Sequence, residues 1–143
     1  MSDPYDLQRF IDAQDGVYET ALAELRAGSK QRHWMWFIFP QLRGLGLSPT
    51  AHHYGLVSLD EARAYLQHPL LGARVHQCVE ALAPWANRGS AEEIFGPIDA
   101  MKLRSSLTLF DKIEPNGTFG ESLTAFFNGV PDERTLALLN AQR

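Results

Sequence analysis

Apolar residues recur at helical spacing through most of the chain. Leu7, Phe10 and Ile11, then Val17, Tyr18, Ala21, Leu22 and Leu25, fall at three- and four-residue steps on either side of Gly16. That repeat lays one face of a helix against a core. Gly28 closes the second helix with the residue best suited to a left-handed C-terminal turn. Ser58 with Glu61 forms a capping-box pattern ahead of Ala62, Tyr65 and Leu66. Pro69 suits a first helical position, and Leu71, Val75, Cys78 and Leu82 follow on one stripe. Ser90 with Glu93, and Thr118 with Glu121, repeat the capping pattern, and Asp132 suits the cap of a terminal helix with Leu136 and Leu139 inward. Only Trp34 to Phe39 has the bulk and branching of a buried strand, and a helical turn fits it equally well. The pattern predicts a mainly α, single multihelical domain over residues 1–143, with less than about a tenth of it in strands.

The helix expected over Pro97 to Ile113 breaks its own pattern. At about 100° per residue, Ile98 and Leu109 lie on one side of an arc and Leu103 and Phe110 on the other. Asp99, Lys102 and Ser106 fall between them, with Arg104, Thr108 and Asp111 on the opposite, outward face. Polar groups in the middle of an inward face are costly unless paired or turned to a cavity. Two arrangements meet that demand. Asp99 and Lys102 form a structural ion pair at i, i+3 with Ser106 completing it, or the three line a polar cleft. In the cleft, Asp99 would be a base or electrostatic stabiliser and Lys102 an anion binder, the two catalytic candidates.

A second segment, KQRHWMWFIFPQLRGLGLS over residues 30–48, sets His33, Trp34 and Trp36 beside a glycine loop that carries Gln41 and Ser48. Aromatic walls with a few polar groups suit a planar ligand, and aromatic bulk also suits a core. The glycines lack the Walker lysine and the dinucleotide spacing, so GLGLS is not a phosphate loop. In HPLLGAR, His68 suits a cap, and Arg74 is either a snorkelling side chain or a phosphate fork.

Composition narrows the classes further. The chain has 143 residues, 45% of them hydrophobic, enough for one core and too apolar for disorder throughout. Its net charge of -4 argues against a general nucleic-acid or anionic-membrane binder. An acidic, polar start and an apolar run of only seven residues, Trp34 to Pro40, predict no leader and no membrane span, hence a cytoplasmic protein. Cys78, the lone cysteine, excludes an internal disulfide, and its place on an apolar stripe predicts an inert thiol. His52 and His53 diverge on regular structure and no metal-ligand spacing occurs, so no metal or other cofactor is expected. Ser105-Ser106 lacks a nucleophile elbow.

These segments together, HWMWFIFPQLRGLGLS, then Tyr54, Glu61-Ala62 and Tyr65-Leu66, then HPLLGAR and IFGPIDAMKLRSSLTLF, resemble the family of domain of unknown function 1810 along nearly the whole chain. The resemblance implies a helical fold without an assigned activity. Members sometimes carry the label calpastatin, which implies a disordered calpain inhibitor, a description at odds with this aromatic-rich composition. A more distant resemblance is to the NADAR or YbiA-like group. It implies N-glycosidic cleavage of phosphorylated ribose conjugates, but the chain lacks that group's Trp-Gly after the aspartate, so no residue is carried over. The expectation is a hydrolase of N-glycosidase type acting on a phosphorylated ribosyl or nucleotide-like small molecule. The candidates are Asp99 and Lys102 for catalysis and His33, Trp34, Trp36, Gln41, Ser48, Arg74 and Ser106 for binding. The alternative is a noncatalytic ligand-binding or protein-interaction domain.

Overall fold

The computed structural model describes residues 3–86 and 88–142. Within them lie ten α-helices: α1 (Gln8–Gln14), α2 (Tyr18–Arg26), α3 (Met35–Ile38), α4 (Pro49–Tyr54), α5 (Leu59–Gln67), α6 (Pro69–Leu82), α7 (Ala91–Phe95), α8 (Pro97–Ile113), α9 (Thr118–Phe127) and α10 (Glu133–Ala141). A single 3-10 turn, Ala83–Trp85, follows α6. The β pairing among the described residues is one isolated parallel bridge between Leu42 and Leu56. The fold is mainly α, as the periodicity implies. Trp34 to Phe39 resolves to a helical turn, α3, whose Met35 and Ile38 face inward.

Most helix starts follow the sequence signals. Ser58 Oγ accepts from the Glu61 amide, and Ser90 and Glu93 make a reciprocal capping box. Asp132 accepts from the Thr135 amide at the start of α10, and the His68 ring accepts from the amides of Leu70 and Leu71 at the start of α6. The pattern at Thr118 does not form. Asn116 (φ 62) and Gly117 make the turn, so Thr118 is already the first helical residue and no side chain caps α9.

The two long helices organise the rest. α8 packs against α5, α7, α9 and α10, and α6 against α2, α3, α5 and α9. Phe10, Trp34, Tyr65, Phe110 and Phe119 are fully buried. Tyr65 stacks on Phe110 at 5.7 Å, and Phe110 meets Phe119 at 5.3 Å. The corner between α5 and α6 closes over Gly72: a Cβ there would stand 2.1 Å from the Leu66 carbonyl oxygen, so only glycine fits. A buried ion pair, Arg9 to Glu61 at 2.8 Å, fastens α1 to α5. No helix of the described residues is long and apolar enough to cross a membrane.

The wheel for α8 needs one correction. Thr108, expected outside, is buried: α10 covers that side, and Thr108 Oγ1 accepts from the Asp132 amide at 2.9 Å while donating to the Arg104 carbonyl. Ile98 and Met101, in the first turns, are instead 70% and 62% exposed. α8 starts at the surface and is enclosed on nearly all sides further along. Depth along its axis decides burial as much as angle around it.

Candidate functional site

Glu24 begins the site. It lies on the inward side of α2, and its carboxylate accepts from the amides of Gln31 (2.7 Å) and Arg32 (3.0 Å), from Arg32 Nη1 (2.8 Å) and from Trp34 Nε1 (2.9 Å). Burial pushes this carboxyl up, but the donors outweigh it and hold the group down at about 2. The segment after α2 is thereby folded back over the helix. Its Lys30 amide donates to the Ile94 carbonyl at 2.9 Å, tying the same segment to α7.

That path delivers Lys30 to the start of α8. Gly96, at φ +82, turns the chain out of α7, and Pro97 opens α8 with Asp99 in its first turn. Lys30 Nζ lies 2.7 Å from Asp99 Oδ2, with only 6% of the lysine side chain exposed. Lys102 Nζ lies 3.3 Å from Asp99 Oδ1. Burial raises the Asp99 carboxyl, and the two ammonium groups more than reverse this, so it stays ionised below its usual range. Two cations on one anion leave an excess positive charge. Each lysine also meets an indole, Lys102 at 3.6 Å from the Trp36 ring centre and Lys30 at 5.1 Å from that of Trp34.

A family model described as protein of unknown function (DUF1810) matches residues 4–139. The chain belongs to the DUF1810 family. Among solved structures, a conserved hypothetical protein from Mycobacterium tuberculosis is similar, at 53% identity over 96% of this chain and 99% of that one, with a TM-score of 0.91. No curated protein matches the chain.

In this DUF1810 fold the residues singled out from the sequence separate into three groups. Asp99, Lys102 and Trp36 come together at the surface, and Gly46 of the glycine loop passes beside the Trp36 ring, where a Cβ would lie 3.7 Å from it. Trp34, expected to stack on a ligand, does not share that exposure. It is fully buried, with its N–H spent on Glu24 and its ring packed near Phe39 and Phe95, because its bulk closes the core beneath α7. Ser106 is a second correction. It shares the angle of Asp99, but seven residues carry it about 10 Å deeper along the helix, where its hydroxyl is buried without a partner.

The third group is occupied or remote. Ser48 Oγ caps α4 by accepting from the Ala51 amide at 3.1 Å. Gln41 is buried, and its backbone carbonyl accepts from the Leu56 amide at 2.9 Å. His33 is exposed on the loop ahead of Trp34. Arg74 lies over the Tyr18 ring at 4.6 Å and donates to Gln14 at 3.1 Å, so it faces the first turn of α2, whereas Lys30 follows the last. It is therefore no fork for the Asp99 site. Cys78 is a buried thiol pushed up to about 12 by burial, inert as its stripe position implies.

Sequence reasoning passed over Lys30 and Glu24. Glu24 carried a readable signal, since it sits three residues after Ala21 and next to Leu25 on the apolar stripe of α2. An acid there needs donors. Lys30 lies in an irregular segment, where no periodicity reports which way a side chain turns.

Proposed function

We propose that the face formed by Lys30, Trp36, Asp99 and Lys102 binds an anionic, nucleotide-like small molecule such as a phosphorylated ribosyl compound. The observation that carries the reading is the pair of lysines converging on the single Asp99 carboxylate. Two cations on one anion can hold a phosphate without first breaking a neutral pair. If Lys102 follows a phosphate away from Trp36, it frees an indole face for a base. The ionised Asp99 supplies the charge that N-glycosidic cleavage demands, a carboxylate facing the positive charge that develops on the sugar as the base departs. Hydrolysis of such a ligand is the activity these groups would support, in a cytoplasmic setting.

The exposure of Leu47 at 99%, Ile98 at 70% and Met101 at 62% supports a second reading, a noncatalytic interaction domain. One experiment separates the two. Thermal unfolding is followed with ADP-ribose, ribose 5-phosphate and adenosine monophosphate, and the mixtures are then assayed for released base or sugar. Stabilisation of the wild type that is lost in Lys102→Met supports the site, and release of base that is lost in Asp99→Asn supports the hydrolase. An unresponsive wild type, together with an Asp99→Asn variant that melts much earlier, reduces the cluster to a structural pair and removes the proposal.

A further inference from the structure

α5 and α6 meet at a single residue. His68 ends α5, its amide donating to the Ala64 carbonyl at 3.0 Å, and it also opens α6. The first turn of α6 has few amides to satisfy. Pro69 has no N–H, and the amide of Gly72 donates to the His68 carbonyl at 2.9 Å. Leu70 and Leu71 remain, and both donate to His68 Nδ1, at 3.1 and 3.3 Å. The side-chain cap of α6 therefore rests on one ring nitrogen.

That nitrogen accepts only while it carries no proton. A proton taken from solvent at Nδ1 turns the acceptor into a donor facing two other donors, and the new positive charge opposes the positive end of the helix. The ring must then leave. Asp3 lies close enough to feel that charge. Its carboxylate accepts from the amides of Leu7 and Gln8 at 2.8 and 3.0 Å, at the start of α1. Those two amides hold the carboxyl below its ordinary value, and the charges of His68 and Arg9 add to the effect. Arg9 itself is committed elsewhere, to the carbonyls of Tyr5, Asp6, His53 and Gly55 and to Glu61. A carboxylate has about four lone-pair positions, so Asp3 can take a ring N–H without giving up α1. We propose that His68 is a proton-operated switch between two helices: neutral, it caps α6, and protonated, it turns to Asp3 at the start of α1. Further along α6, His76 Nδ1 faces the Gly72 carbonyl and Nε2 faces Glu114, and a protonated ring donates to both. Acid thus leaves the body of α6 fastened and confines the change to its first turn.

Nuclear magnetic resonance of the 15N-labelled protein tests this between about pH 8 and about pH 5, the range over which imidazoles change charge. At the upper end, ring-nitrogen spectra should place the His68 proton on Nε2 and leave Nδ1 bare. As the ring gains its second proton, the Leu70 and Leu71 amides should lose about fivefold in exchange protection, corrected for the intrinsic pH dependence of exchange, the worth of one cap. Overhauser contacts from the ring to Asp3 should appear in the same step. His68→Asn keeps a capping acceptor without a titrating ring, so its Leu70 and Leu71 protection should not change with pH. A proton on Nδ1 at the upper end, protection that does not fall with pH, a protonated ring without contacts to Asp3, or the same pH response in His68→Asn would overturn the proposal. The first three readings come from the wild type and hold whether or not the variant folds.

Discussion

Glu24 shows how one side chain governs a site it does not occupy. Its carboxylate gathers four donors from the segment that carries Lys30, one of them a buried indole N–H. Truncation to alanine strands that indole and two backbone amides. Glu24→Ala should therefore destabilise the protein by about 3 kcal/mol, a fall of roughly 9 °C in melting temperature for a chain of this length. The same variant should release Lys30 from Asp99. The sign of the pH effect follows from the depressed acid. Stability from Glu24 is full above its ordinary value of 4.5 and is lost as pH falls toward about 2, so the fall in stability across that window should be shallower in Glu24→Ala than in the wild type. Urea unfolding of Glu24→Ala at neutral pH is the direct check, and a loss below about 1 kcal/mol would contradict the role given to Glu24.

At the scale of elements, the α5–α6 corner leaves less room for a Cβ than any other glycine position. A methyl at Gly72 meets the Leu66 carbonyl oxygen head-on. Gly72→Ala should cost about 1–3 kcal/mol by forcing the helices apart, although alanine is the better helix former. A variant as stable as the wild type would show that the corner yields freely. Helix existence was legible because caps and stripes repeat locally: Ser58, Ser90 and Asp132 all cap where their spacing implies. Thr118 failed because the neighbouring Asn116 and Gly117 offered an earlier turn. The site was half legible. Asp99 and Lys102 are neighbours on one helix, which periodicity reports, whereas Lys30 arrives from a loop that Glu24 positions, and a tertiary contact leaves no periodic trace. Trp34 and Trp36 look alike in sequence and differ in the fold because α3 is one turn, with one tryptophan inward and the other at its rim.

Across the whole molecule, charge ties distant elements together. His76 Nδ1 lies 2.7 Å from the Gly72 carbonyl and Nε2 lies 2.8 Å from Glu114, so α6 is linked to the end of α8 by a ring that donates at both nitrogens when protonated. Burial lowers the ring's affinity for its proton, and these two acceptors more than restore it, raising it above 6.5. A raised histidine contributes stability that is present below 6.5 and lost as pH rises through its folded value. The melting temperature should therefore fall as pH rises above that point, and His76→Asn should flatten the fall. An identical pH profile in the variant would remove His76 as the cause.

Lys102 and its partners are proposed to form an anion-binding surface around Asp99. Isothermal titration of ADP-ribose into the wild type and into Lys102→Met at low salt tests it most directly. One saturable event in the wild type, weakened about tenfold in a folded Lys102→Met, is the expected result. Equal binding by the two proteins, or no binding by the wild type, would contradict it.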